Sequence, residues 1–212
     1  MRVIAGAAGG IRLDVPKTEV RPTMDRVKAA IFSSLGEEII GARVLDLFAG
    51  TGALGIEALS RGAASALFVE DNSAAIAAIE RNLARTKLEG RIRRQDVFSF
   101  LRSIQTGEPF HIIFADPPYE KAKSGGAFTS LLLEDSQLAE ILEPSGIFVL
   151  EKRPAEQMPR MPLWNVIRSK AYGATEVLFL QRSVIPSEVE ESRDGTGSVA
   201  TGCLDSARHD KS

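Results

Sequence analysis

An α/β fold, a mostly parallel seven-stranded sheet with helices on both faces and an added N-terminal β-hairpin, is predicted by three features of this 212-residue sequence. From Ala42 onward, short apolar runs alternate with helix-period segments, the pattern of a parallel sheet covered on both sides. A glycine-rich loop follows the first of those runs and opens a helix. A second motif, Asp116-Pro117-Pro118-Tyr119, stands directly after the fourth run, at the edge of such a sheet where ligands gather.

Taken in order, Arg2 to Ala5 and Ile11 to Val15 flank a Gly/Ala-rich turn and predict the hairpin. Arg21-Pro22-Thr23 leads into a helix, with Thr23 as its N-cap and Val27, Ile31 and Leu35 on its apolar face. Strands are expected at Arg43 to Leu47, Ala66 to Glu70, Arg91 to Arg94, His111 to Ala115 and Gly146 to Glu151. Helices are expected at Leu54 to Ser60, Asn72 to Thr86, Val97 to Ile104 and Phe128 to Leu142. Trp164 to Lys170 and Glu176 to Gln181 read as a closing antiparallel pair, with Trp164 in the core. The chain thus divides into a hairpin extension at 1–22, a sheet domain at 23–182 and a polar tail at 183–212 with too little apolar surface to repay its ordering entropy.

Composition narrows the function classes. Lys and Arg number 26 against 28 Asp and Glu, and the excess acid lies in the tail, so the body is near neutral. No apolar run approaches the roughly 18 residues that span a bilayer, and Met1 is not followed by a leader pattern, so a soluble cytoplasmic protein is expected. The single cysteine, Cys203, rules out a disulfide framework and a cysteine-rich metal site. The two histidines, His111 in an apolar run and His209 in the tail, do not resemble a metal site, and His111 reads as a packed strand residue.

The run from Asp46 through Phe48, Gly50, Gly52 and Gly55 spells GxGxxG at the strand-to-helix turn where doubly wound sheets bind cofactors. The glycines alone also fit dinucleotide binding. Asp46 separates the two, because a carboxylate there repels a pyrophosphate and favours a cofactor with a positive end, such as the sulfonium and ammonium of S-adenosylmethionine. A loop-capping carboxylate is the structural alternative for Asp46. Glu70 ends the next strand, where an acid holds ribose hydroxyls. Asp96 is equally placed to accept from an adenine amino group, with the Val97 amide reaching the ring, or to cap the helix that starts at Val97.

Asp116-Pro117-Pro118-Tyr119 is the most informative tetrapeptide. An exocyclic amine on a nucleobase is a poor nucleophile because its lone pair is delocalised into the ring. Acceptors that draw on its hydrogens let the nitrogen pyramidalise, and Asp116 and the Pro117 carbonyl supply them. The prolines stiffen the loop and remove amide donors that would oppose an NH2 group, while Tyr119 offers a flat face for the base. Holding amine and methyl in line can recover about 7–11 kcal/mol, against about 3–5 kcal/mol for a general base, so positioning dominates and proton removal by Asp116 is secondary.

With these residues in place, the chain resembles a class I, Rossmann-like, S-adenosylmethionine-dependent methyltransferase acting on an amino nitrogen. More narrowly it resembles the bacterial 16S rRNA (guanine(966)-N(2))-methyltransferase family, from Arg2 to about Arg182, through RVIAG, LDVP, RPTMDRVKAAIFSSL, DLFAGTGALGIEALSRGA, FVE and DPPY. The resemblance implies that Asp46, Phe48, Gly50, Gly52, Glu70, Asp96 and Val97 bind the cofactor and that Asp116, Pro117, Pro118 and Tyr119 hold the guanine. It implies that Arg21, Thr23 and Arg26 face the substrate near the cofactor's methionine end. The family usually has a Gly-Arg pair where this chain reads Gly10-Ile11-Arg12, so one RNA-contacting charge is absent or displaced to Arg12. The implied partner is 16S rRNA in an assembling small ribosomal subunit, with no membrane, no metal and no more than a monomer required.

Local charge supports an RNA partner better than net charge does: Arg81, Arg85, Lys87, Arg91, Arg93 and Arg94 form one basic cluster, and Lys152, Arg153, Arg160, Arg168 and Lys170 another. Removing Met1 to Lys17 is expected to abolish RNA methylation and spare cofactor affinity. The rival readings are an amino-methyltransferase for adenine N6 in DNA or for a protein glutamine, an NAD-dependent oxidoreductase, which leaves Asp46 and DPPY unexplained, and a non-catalytic RNA-binding module.

Overall fold

The computed structural model describes residues 1–15, 24–105, 107–118, 127–154 and 156–183. Arg21, Thr23, Tyr119 and the tail beyond Ser183 lie outside them. The elements are α1 (Met24–Leu35), β1 (Arg43–Leu47), α2 (Ala53–Ser60), β2 (Ser65–Glu70), α3 (Ser73–Thr86), β3 (Arg91–Arg94), α4 (Val97–Ser103), β4 (Phe110–Ala115), α5 (Phe128–Glu134), α6 (Ser136–Glu140), β5 (Leu142–Lys152), β6 (Trp164–Tyr172) and β7 (Thr175–Arg182). The strands form one sheet in the order β3-β2-β1-β4-β5-β7-β6, parallel except where β7 pairs with β5 and β6.

Strand alternation sorts the core onto the two faces of this sheet. Val44, Phe68, Ile112 and Phe114 pack with α1, α2 and α3, whereas Leu45, Leu47, Val69 and Ile113 pack with α4, α5 and α6. Trp164 is buried against Phe148 and donates its indole N–H to the Leu133 carbonyl. His111 sits partly buried on β4, its Nδ1 accepting the Arg43 amide.

Two expected elements differ in detail. The helix predicted from Phe128 to Leu142 is two short helices, because Asp135 takes an extended backbone and its side chain caps α6 by accepting from the Leu138 amide. The strand predicted from Gly146 begins at Leu142, paired with Phe110, and the register then shifts across Glu143 to Gly146.

The N-terminal hairpin is held by a single bridge, Arg2 to Arg12, with further backbone bonds from Val3 to Ile11 and from Leu13 to Met1. Most of its bonds go to the body instead. The Ile4 and Ala5 amides donate to Glu57 of α2, and Ser60 accepts from Ala7 and Ala8. The approach is close enough that a Cβ on Gly6, at φ +85°, would lie 1.8 Å from the Ser60 carbonyl oxygen. Val3, Ala8 and Leu13 join the same core as α1 and α2. Deleting Met1 to Lys17 would therefore expose that core, and point substitutions are the cleaner probe of RNA contact.

Candidate active site

The carboxyl ends of β1, β2, β4 and β5 carry Asp46, Glu70, Asp116 and Glu151. Register places them together: Asp46 is level with Phe114 and Phe68, and Ala115 pairs with Leu150, which sets Asp116 beside Glu151. Alternation turns Asp46, Asp116 and Glu151 toward the face covered by α1 to α3.

Asp46 is 2% exposed, and its Oδ2 accepts from the Gly55 amide at 2.9 Å in the first turn of α2. Burial, with the like charges of Asp116 and Glu70, pushes its carboxyl up to about 8 despite that bond. Gly55 is required by this contact, since a Cβ there would stand 2.3 Å from the Phe68 ring and 3.1 Å from Asp46 Oδ2. Asp46 thus fills the capping role foreseen as its structural alternative, through Oδ2 alone.

Glu70 organises the glycine loop. Its Oε2 accepts from the Gly50 amide at 2.8 Å, and its Oε1 from the Asp71 and Asn72 amides at 3.0 and 2.9 Å. A carboxylate has about four acceptor sites, so about one remains for a ribose hydroxyl. Among the described residues, Gly50, at φ +54°, has only the Phe48 carbonyl near its would-be Cβ, at 3.9 Å, so the loop presents bare backbone there. Gly52, also at positive φ, starts α2.

Asp96 caps α4 through Oδ1, which accepts from Ser99 at 2.9 Å, and it is exposed. Val97 beside it is buried. Asp116 and Pro118 are exposed and Pro117 between them is buried, which anchors the motif's backbone. Arg12 and Arg26 are exposed on the N-terminal segment and on α1.

Three residues escaped the sequence reading. Glu151 stands one residue before the end of β5, as Asp46 does in β1, and the apolar run before it was its one signal in the sequence. Burial first, then Asp116 and Asp46, raises its carboxyl well above the usual range. Phe98 and Phe128 form with Phe48 an aromatic trio at the loop's rim, with centroid separations of 5.4 to 6.3 Å. Phe48 reaches it by adopting φ +54°. Much of the basic clusters is taken up internally: Arg81 pairs with Asp14, Arg85 donates to the Arg12 carbonyl, Lys152 pairs with Glu176, and Arg168 and Lys170 reach Ser34.

These features test the fit of S-adenosylmethionine. An open cradle of positive-φ glycines, lined by carboxylates at three strand ends and rimmed by aromatic rings, matches a cofactor with a cationic end, a ribose and a flat base. Among the described residues, no group of His, Cys, Asp or Glu is arranged to hold a metal ion, and no helix is long and apolar enough to cross a membrane.

The fold and the site together define a class I methyltransferase. The chain belongs to the family described as Conserved hypothetical protein 95, whose profile matches residues 1–181. It is 36% identical over 185 residues to Ribosomal RNA small subunit methyltransferase D of Escherichia coli, covering 86% of this chain and 90% of that one. Among solved structures, an Escherichia coli protein named as a candidate methyltransferase superimposes with a TM-score of 0.72 at 34% identity, over 86% of this chain and 97% of that one. The Thermus thermophilus 16S rRNA N2 G1207 methyltransferase, solved with AdoMet and guanosine, superimposes at 0.58 with 25% identity, over 79% of this chain and 44% of that one.

Proposed function

We propose that this protein transfers a methyl group from S-adenosylmethionine to the exocyclic N2 of a guanine in 16S rRNA. The observation that carries the reading is the convergence of Asp46, Glu70 and Asp116 around the Gly50 loop, with Asp116-Pro117-Pro118 at the open edge. Its setting is the cytoplasm, its substrate the rRNA of an assembling small subunit, and it works as a monomer without a metal. Residues 1–22 serve as the RNA-contacting extension and 23–182 as the catalytic body, with 183–212 outside both roles.

Bound S-adenosylmethionine supplies a methyl group on a positively charged sulfur. Asp46 Oδ1 faces its cationic end, Glu70 takes a ribose hydroxyl, and Asp96 Oδ2 and the Val97 amide meet the adenine edge. Backbone at Gly50 and Gly52 and the Phe48 ring complete the cradle. Asp116 and the Pro117 carbonyl accept hydrogen bonds from the guanine amine, turning its lone pair out of the ring plane and toward the methyl. Buried Pro117 fixes that carbonyl, Pro118 keeps the loop stiff, and Tyr119 stacks on the base. Asp116 or water removes the proton after transfer. Arg12, Arg21, Thr23 and Arg26 hold the strand that carries the guanine, and a loop nucleotide is favoured because it needs no unpairing.

The deciding experiment incubates the protein with tritiated S-adenosylmethionine and small subunits from a strain lacking the homologous activity. Label should appear in N2-methylguanosine and fall by at least 100-fold in Asp116→Ala, with cofactor affinity retained. Label confined to DNA or protein would keep the amino-methyltransferase chemistry and overturn the ribosomal substrate.

A further inference from the structure

A cleft of about 450 Å³ lies between the N-terminal segment and α1, walled by Arg2, Val3 and Ile4 on one side and Asp25, Arg26 and Ala29 on the other. Its size falls in the range of ligand sites, roughly 300–1,000 Å³. The two walls are fastened together beneath it. The Arg2 amide donates to Asp25 Oδ1 at 3.3 Å, and Lys28 Nζ donates to the Arg2 carbonyl at 2.6 Å. Lys28, 3% exposed, pairs at 3.1 Å with Glu57, which is fully buried and accepts the Ile4 and Ala5 amides. The cleft is thus held open by a buried ionic floor.

Its rim is cationic. Arg2 and Arg26 are both exposed, one on each wall, and neither guanidinium enters an ion pair with the described residues. Asp25 is the one acid among the described lining residues, and its Oδ1 is occupied by the Arg2 amide. Two forked guanidiniums above a partly apolar trough suit a phosphate attached to a sugar and base better than a free anion.

The cleft is also tied to the cofactor loop. Asn82 of α3, fully buried, accepts from the Asp14 amide and donates to both the Asp14 and Thr51 carbonyls, so the N-terminal segment and the glycine loop share one buried anchor.

We propose that this cleft binds one nucleotide of the substrate RNA strand flanking the target guanine, its phosphate between Arg2 and Arg26 and its sugar or base against Ile4 and Ala29. The proposal rests on the rRNA reading above and adds a subsite to it. Gripping a neighbouring phosphodiester fixes the register of the strand while the target base turns into the Asp116 site.

The test uses the full chain and the same small subunits, reading steady-state methylation, S-adenosylmethionine affinity and the salt dependence of rRNA binding. The double variant Arg2→Gln/Arg26→Gln should raise the KM for rRNA at least tenfold, leave kcat and cofactor affinity within twofold, and flatten the log–log salt slope by about 0.7, the value for one single-strand phosphate. Ala29→Phe fills the trough without changing charge and should raise the same KM. Arg102→Gln, at the exposed end of α4, should leave it unchanged. Wild-type KM and salt slope in the double variant, or an equal effect from Arg102→Gln, would overturn the cleft while the rRNA activity stands. A wild-type protein that labels no rRNA overturns both.

Discussion

Two buried carboxylates on the same face of the sheet, Glu57 and Asp46, live under opposite regimes. Glu57 accepts the Ile4 and Ala5 amides, the Arg61 guanidinium at 2.7 Å and the Lys28 ammonium at 3.1 Å. Every donor around it belongs to the protein, and it serves to fasten the N-terminal segment. Asp46 accepts one amide, from Gly55, and faces the acids Asp116 and Glu70. Gathering like charges around a buried acid does not add stability, so the difference is what the proposed role of Asp46 toward a positive ligand calls for.

The contrast breaks most sharply at Glu57. Glu57→Gln leaves Lys28 buried without its counter-charge, and removing one partner of such a pair costs about 3–5 kcal/mol. Thermal melting should show a fall of about 10 °C for a chain of this size. Replacing both partners, Glu57→Leu with Lys28→Met, removes the stranded charge but leaves the Ile4 and Ala5 amides without their acceptor, so only a minor part of that loss should return. A single variant that melts with the wild type would mean the ionic floor contributes nothing.

Asp46→Asn should move stability the other way. Below the ordinary value of 3.8, folded and unfolded chains both carry the Asp46 proton; as pH climbs toward about 8 the unfolded chain releases it and the folded chain keeps it. The group's support for the fold is therefore present below pH 3.8 and drains away up to about pH 8, whereas asparagine stays neutral throughout. The variant should gain on the wild type by an amount that grows across that window, on the order of 4 kcal/mol near neutrality. Calorimetry with S-adenosylmethionine should show at least tenfold weaker binding. A stability difference that is flat with pH would refute the assignment.

The smallest effect belongs to Asp96. Losing its cap on α4 in Asp96→Ala should cost about 1 kcal/mol by denaturant titration. Asp96→Asn keeps the capping oxygen and removes Oδ2 as an acceptor, so a cofactor affinity loss already present in that variant would separate Oδ2's role from the cap.

Much of this was legible in the residues. Strands such as Arg43–Leu47 and Arg91–Arg94 fall at the predicted bounds because local apolar pattern and flanking turns agree. The break at Asp135 was hidden, since apolar spacing runs through it and only the capping geometry ends α5. The Leu142 start of β5 was hidden too, because Pro144 and Gly146 read as a turn. At the site, the glycine loop and DPPY were visible as contiguous motifs. Glu151 was obscured by the adjoining Lys152 and Arg153, and the Phe48, Phe98 and Phe128 trio joins residues from distant stretches that no local pattern links. The Glu57 clamp spans more than fifty residues and exists only after folding.

The placement of β7 between β5 and β6 has a consequence for synthesis. Until residues 175–182 have emerged, β5 presents an unpaired edge from Phe148 to Lys152, with Phe148 and Leu150 lacking part of their cover. A nascent or truncated chain that stops short of Thr175 therefore displays an adhesive strand, and the solubility of every shorter translation product hinges on how quickly the final hairpin closes that seam.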